Sequence, residues 1–235
     1  MGGKRYRIIY EDDWLIVVDK PSGMLVIPTP KKETNTLTDL LNQDLDARGI
    51  GPNAHPCHRL DRETSGLIIY AKGKKSQRLM MEEFRKKSVK KAYIAFVHGR
   101  VKKNFDIINK AICSRNRNRQ VPAATKYKVL ERRKDFTILE VEPITGRTNQ
   151  IRIHLKDIGH PLVGESVYVF RKDFELKFKR AALHAKEIEF IHPITKEKLK
   201  FSSRLPCDME EFIKIPLTLP SPPMGERKKV RGELR

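Results

Sequence analysis

Hydrophobic positions recur along this chain with two periods, and the switches between them mark out the elements. Residues 6–10 and 15–18 are short apolar runs around the acidic turn Glu11-Asp12-Asp13, and they read as strands. Pro21 and Gly23 set a turn in Asp19-Lys20-Pro21-Ser22-Gly23. Residues 24–27 form a further short strand, ended by Pro28 and Pro30. The period then lengthens. Leu37, Leu40, Leu41 and Leu45 share one face of a helix over residues 36–47, with Thr36 placed to cap it, Asp39 in its first turn and Gly49 ending it. Residues 51–56 are a loop. An apolar strand opens after Gly66 and runs to Lys72. Residues 72–91 carry nine Lys and Arg around the helical stripe Leu79, Met80 and Phe84.

The second half repeats the alternation. Residues 91–99 have the period of two of a strand, and residues 104–109 are strand-like or loop. Residues 125–130 and 136–143 pair as a hairpin across Arg132-Arg133-Lys134-Asp135. Gly146 breaks the strand, and a helix starts near Thr148 with Ile151, Leu155 and Ile158 as its buried face. A last strand runs from Leu183 through Phe190, and residues 206–213 form a last helical turn. From Pro216 the chain is Pro-rich and then charged, which cannot build a core. The expectation is a folded unit over residues 1–213 and a disordered tail over residues 214–235.

Composition narrows the partners. A chain of 235 residues with 39% hydrophobic content can bury a proper core. Its 49 Lys and Arg against 29 Asp and Glu give a net charge of +20. Such an excess points to a polyanion, nucleic acid before an acidic membrane, since no basic amphipathic stretch carries large apolar anchors. No apolar run is long enough to span a bilayer, and Gly2, Gly3, Lys4 and Arg5 do not open a signal peptide, so a cytoplasmic protein is expected. Cys57, Cys113 and Cys207 are odd in number and far apart, which is no disulfide framework. Cys57 lies between His55 and His58, but no second pair stands at ligand spacing, so no metal is expected.

The candidate chemistry sits in four stretches. In His58-Arg59-Leu60-Asp61-Arg62-Glu63-Thr64-Ser65-Gly66 a carboxylate lies between two guanidiniums. Nearby positive charge favours the charged form of a carboxylate, and such a group on a turn before a buried strand can act as nucleophile or base. The same letters also fit an Asp that caps a turn and pairs with a surface Arg. Tyr93 stands on the strand of residues 91–99 and reads alone as a cross-strand aromatic. The third stretch is Thr145-Gly146-Arg147-Thr148-Asn149-Gln150-Ile151-Arg152, and the fourth combines Gly164-Glu165 with Leu183-His184-Ala185. Two basic segments stand outside these four. Residues 115–119, Arg-Asn-Arg-Asn-Arg, suit contacts to RNA or are a surface loop, and the cations of residues 72–91 are a solvated face or part of a phosphate track.

Taken in order, these stretches resemble the motifs of the RluA-type RNA pseudouridine synthases over about residues 6–210. The resemblance implies an α+β fold, with a mixed, mainly antiparallel central sheet, flanking helices and a basic active-site cleft. It also implies isomerisation of uridine to pseudouridine in structured RNA, ribosomal RNA before transfer RNA, by a monomer needing no metal or other cofactor. Many relatives carry an S4-type RNA-binding module at the N-terminus, and a first strand at Tyr6 leads us to expect none here. Asp61 would be the essential carboxylate, Tyr93 the aromatic that stacks on the target base, and Arg152 the cation paired with Asp61. Arg59, Arg62, Thr64, Arg147, Gln150 and Leu183 would contact substrate, and His184 would be structural. Asn149 departs from the histidine of that motif, and Glu165 from its aspartate. Two other classes compete: a non-catalytic RNA-binding or ribosome-assembly factor, and a hydrolase that releases free uracil.

Overall fold

The computed structural model describes residues 6–30, 33–51, 53–114, 119–169 and 176–214. The strands are β1 (Arg7–Glu11), β2 (Leu15–Lys20), β3 (Ala54–Pro56), β4 (Ser65–Lys72), β5 (Lys90–His98), β6 (Phe105–Asn109), β7 (Ile112–Ser114), β8 (Arg119–Val121), β9 (Ala124–Arg132), β10 (Phe136–Pro143), β11 (Leu183–Ile191) and β12 (Lys198–Ser202). The helices are α1 (Leu37–Ala47), α2 (Gly73–Arg85), α3 (Gln150–Asp157) and α4 (Cys207–Lys214). Ten strands form one sheet in the order β1-β2-β4-β11-β5-β10-β9-β6, with β12 added to β11 and β3 to β4, while β7 and β8 pair separately. Only β4 and β11 run parallel among the described pairs, so the sheet is mixed and mainly antiparallel, as expected.

The period of two divides the core. On β4, Ile68 and Tyr70 face a cluster with Leu37, Leu41 and Leu45 of α1, Ile151 and Leu155 of α3, and Tyr93 of β5. The alternate residues Leu67, Ile69 and Ala71 face Met80 of α2. On β5, Ile94 and Phe96 pack with Met209 and Phe212 of α4. Helices α1 and α3 therefore cover one face of the sheet, and α2 and α4 the other.

Helix α1 begins as its sequence indicates. The Thr36 hydroxyl accepts from the Asp39 amide, and the Asp39 carboxylate accepts from the Thr36 amide, a reciprocal cap. Residues 24–27 are not the expected strand. Their carbonyls are taken elsewhere: Met24 by the Lys20 Nζ at 2.8 Å, Leu25 by the Leu37 amide at 2.8 Å, and Val26 by the Thr38 amide at 3.2 Å. The segment thus serves as acceptor for the first turn of α1, whose amides have no intrahelical partner. Residues 54–56, expected as loop, add to β4 as β3. Strand β12 follows the alternation Lys198-Leu199-Lys200-Phe201, a pattern present in the sequence but not read as a strand. Residues 115–118 of the basic Arg-Asn segment and the tail from residue 215 lie outside the described residues.

Gly66 permits the parallel contact. A β-carbon there would stand 2.3 Å from the Ala185 carbonyl oxygen and 2.7 Å from its nitrogen, and the backbone sits at φ +108°. Neither neighbour is a side chain that can swing away. Gly66→Ala is expected to destabilise the fold by about 2–3 kcal/mol through overpacking and strain. Thermal unfolding of the variant checks this, and an unchanged midpoint would show that β4 and β11 can separate freely.

Candidate active site

Asp61 sits on the turn that feeds β4, and each carbonyl of that turn is held. The Thr64 amide donates to the Asp61 carbonyl at 3.1 Å. The Arg62 carbonyl accepts from the Gly23 amide at 2.8 Å and from the buried Lys20 Nζ at 3.2 Å. The Glu63 carbonyl accepts from Arg180 at 3.1 Å, while the Glu63 carboxylate accepts from the Ala181 amide at 3.0 Å. Arg180 also forks onto Asp208 of α4, at 2.7 and 3.0 Å. Two buried basic side chains, one from each side, thus fix the backbone that presents Asp61, and burial pulls the Lys20 amine down to about 7.

The Asp61 side chain, 21% exposed, meets the start of α3. Arg152 Nη1 lies 3.5 Å from its Oδ2. The expected pair therefore exists, but it is the weaker half of the arginine's contacts. Arg152 forks onto Glu165, Nε to Oε2 at 2.8 Å and Nη2 to Oε1 at 2.6 Å, and the Glu165 side chain has no exposed surface. Glu165 Oε1 also accepts from the amides of Val167 and Tyr168, at 2.9 and 3.2 Å. Burial alone would push the Glu165 carboxyl up. The Arg152 fork, the arginine's charge and the two amides outweigh it, and the net shift is down.

Asn149 completes the carboxylate's surroundings. With its carboxamide turned so that donors meet acceptors, its nitrogen donates to Asp61 Oδ2 and Oδ1 at 2.8 and 2.9 Å, and its oxygen accepts from the Tyr168 hydroxyl at 2.8 Å. Tyr93 lies beneath, buried on β5 between Val141 of β10 and Ala185 of β11. Burial raises its phenol above the ordinary value, and the charge of Asp61 adds to this, so Tyr93 keeps its proton at neutral pH. The open side of Asp61 faces a cleft of about 180 Å³ lined by Leu25, Ile27, Arg59, Arg62, Thr148 and Arg152 among others.

Not every expected contact residue lies in that cleft. Arg59 and Arg62 do, Arg62 pairing with Glu33 at 2.6 Å. Arg147 is exposed before α3, its Nε on the Pro122 carbonyl at 3.2 Å. Thr64, Gln150 and Leu183 are buried instead. Thr64 closes the Asp61 turn, Leu183 belongs to the core beside Tyr93, and the Gln150 amide donates to the Ala124 carbonyl and to Thr125 at 2.8 and 2.9 Å. These three are buried and do not line that cleft. Within the first motif, His58 accepts from the Ile69 amide at 3.0 Å and burial pushes its pKa down to about 3, while burial pushes the Cys57 thiol up to about 12. His184 sits against Ser65 at 3.0 Å, and burial lowers it to about 4.

Sequence reasoning missed the engagement of Asn149 with Asp61 and Tyr168, the dominance of Glu165 over Asp61 on Arg152, and the clamp of Lys20 and Arg180. The first two carried a signal, because Asn149 and Glu165 are the departures from the motif. The cations of α2 are also relocated, since that helix packs on the sheet face opposite α1, α3 and Tyr93.

Comparison with known proteins shows the family. The family model described as RNA pseudouridylate synthase matches residues 14–157, which include Asp61, Tyr93 and Arg152. The chain belongs to the RNA pseudouridylate synthase family. The uncharacterized RNA pseudouridine synthase YlyB of Bacillus subtilis is 39% identical over 217 residues, 88% of this chain and 71% of that one. The ribosomal large subunit pseudouridine synthase D of Nitrosomonas europaea is 36% identical, over 91% of this chain and 66% of that one. Among solved structures, human RNA pseudouridylate synthase domain containing 4 superposes with a TM-score of 0.75 at 24% identity, over 88% of this chain and 91% of that one, so the fold is shared. The family's enzymes are isomerases that convert uridine to pseudouridine in RNA, the activity expected from the motifs.

Proposed function

We propose that this synthase modifies large-subunit ribosomal RNA, that Asp61 carries the reaction, and that it works as a monomer in the cytoplasm, with residues 1–213 as the catalytic unit. The observation that carries the assignment to Asp61 is its place at the cleft, where one carboxylate is met by Arg152 and Asn149 and left open on its remaining side. The choice of RNA is supported by relatives that bear the name ribosomal large subunit pseudouridine synthase, D in Nitrosomonas europaea and C in Vibrio parahaemolyticus.

The reaction balances without a co-reactant. The bond from ribose C1′ to uracil N1 breaks, the detached base turns, and C1′ joins C5. The C5 hydrogen leaves to solvent and N1 takes up a proton. The target base must first leave its stack. Asp61 then acts as nucleophile or base, Arg152 and Asn149 hold its two oxygens, and Tyr93, protonated and fixed in the sheet, offers a flat apolar face to the base. Arg59 and Arg62 at the rim meet the backbone.

The test is tritium release from RNA labelled at uridine C5. Release is expected from ribosomal RNA and not from transfer RNA. Release from transfer RNA alone would overturn the substrate. Free uracil among the products would mark a hydrolase, and tight binding without release a binding factor.

The position of α2 adds an expectation about binding. Replacing Lys74, Lys75 and Arg78 by Ala should leave the salt dependence of RNA affinity unchanged, because these cations face away from Asp61. Replacing Arg59 or Arg147 should lower the log–log slope by about one unit for each phosphate that the variant no longer neutralises. Filter binding across a salt series checks both, and a reversed pattern would place the RNA on the α2 face.

A further inference from the structure

One residue of the site forgoes its local role. Asn149 occupies the N-cap position of α3, where an Asn side chain ordinarily accepts from the helix's own free amides. Here it makes no such bond. Its backbone also sits in the left-handed region, at φ 55°. A forgone cap and an uncommon backbone conformation, both at one residue, mark a place where local stability has been given up for geometry. What the side chain does instead is hold both oxygens of Asp61.

A carboxamide has two nearly isosteric orientations, and only one of them suits an anion. With the nitrogen toward Asp61 it donates to both carboxylate oxygens. With the oxygen toward Asp61 two acceptors face each other. The Asp61 carboxylate, which can only accept, decides between them, and the Tyr168 hydroxyl at 2.8 Å holds the far end of the carboxamide in that position. Tyr168 is itself held twice: the Arg152 guanidinium lies 5.2 Å from its ring centre, and its amide donates to Glu165 at 3.2 Å. The contacts close into a ring, running from Tyr168 to Asn149, Asp61, Arg152, Glu165 and back to Tyr168.

We infer that Tyr168 is a positioning residue, which anchors the carboxamide of Asn149 where it donates to Asp61. This rests on Asp61 carrying the reaction. Tyr168→Phe keeps the ring against Arg152 and removes the hydroxyl alone. Losing one hydrogen bond of ordinary net strength corresponds to roughly fivefold to tenfold in rate. The expected result is a fall of that size in kcat, with KM for RNA within about twofold and the melting temperature nearly unmoved, since the ring and its contact with Arg152 remain.

The decisive measurement is a double-mutant cycle with Asn149→Gly, which removes the carboxamide while suiting the left-handed backbone. If Tyr168 acts through Asn149, adding Tyr168→Phe to Asn149→Gly changes kcat no further. Independent, multiplying effects would overturn the inference, as would a change confined to KM or an unchanged kcat in Tyr168→Phe. Should Asn149→Gly fail to fold, the kcat–KM split of Tyr168→Phe decides alone. The underlying assignment is tested separately by Asp61→Ala. Retained turnover there removes Asp61 whatever the cycle shows, whereas lost turnover with multiplying effects removes only the role of Tyr168.

Discussion

Asp61→Ala is expected to lower turnover by at least about 10³-fold, within the range that a positioned acid–base group contributes, while leaving RNA affinity nearly intact. The two effects separate because the carboxylate adds nothing to the attraction of phosphates, and its removal leaves every cation at the cleft in place. The fold should survive as well. The turn that presents Asp61 is held by backbone contacts from Thr64, Gly23, Lys20 and Arg180, none of which uses the Asp61 side chain. The Asn149 carboxamide and one Arg152 nitrogen lose an acceptor, yet both face an open cleft where water can replace it. The measurement is C5 tritium release beside filter binding and thermal unfolding. Wild-type turnover in the variant would dismiss Asp61, and a joint loss of binding and melting temperature would show that the carboxylate serves the fold.

What the sequence disclosed about the molecule divides along physical lines. Periodicity and caps are local, so they were readable: Thr36 and Asp39 announce the start of α1, and the alternation on β4, β5 and β11 announces a sheet buried on both faces. The meeting of Asp61 with Arg152, residues 91 apart in sequence, followed only from a resemblance of ordered motifs. Periodicity also says that a helix has a buried stripe without saying which side of a sheet receives it. That is why the cations of α2 read as a phosphate track and lie away from the site. Thr64, Gln150 and Leu183 show a related limit. A polar or apolar letter inside a motif does not reveal how deep beneath a cleft it lies. Residues 24–27 have the letters of a strand, and the competing claim on their carbonyls comes from Lys20 and from the start of α1.

Arg152→Met is expected to remove both activity and stability, and the two losses have different origins. Asp61 loses its cation, so turnover should fall toward the level of Asp61→Ala. Glu165 loses its fork, leaving a fully buried carboxylate with only the amides of Val167 and Tyr168 as donors. Stranding one member of a buried ion pair destabilises by about 3–5 kcal/mol, whereas replacing both members by apolar side chains of similar volume is often near neutral. The double variant Arg152→Met with Glu165→Met should therefore recover much of the melting temperature and none of the activity. Acid provides a second separation. The Glu165 carboxyl in the folded wild type binds its proton less readily than its ordinary value of 4.5. Its stabilising contribution is thus complete above that pH and is lost as pH falls through the lower folded value. In Arg152→Met the carboxyl is buried without its cation, so protonation relieves the molecule. The gap in melting temperature between wild type and variant should narrow as pH falls from 7 toward 4. A gap that holds constant over that range would show that the lost stability came from the packing of the arginine stem, with the charge of Glu165 playing no part.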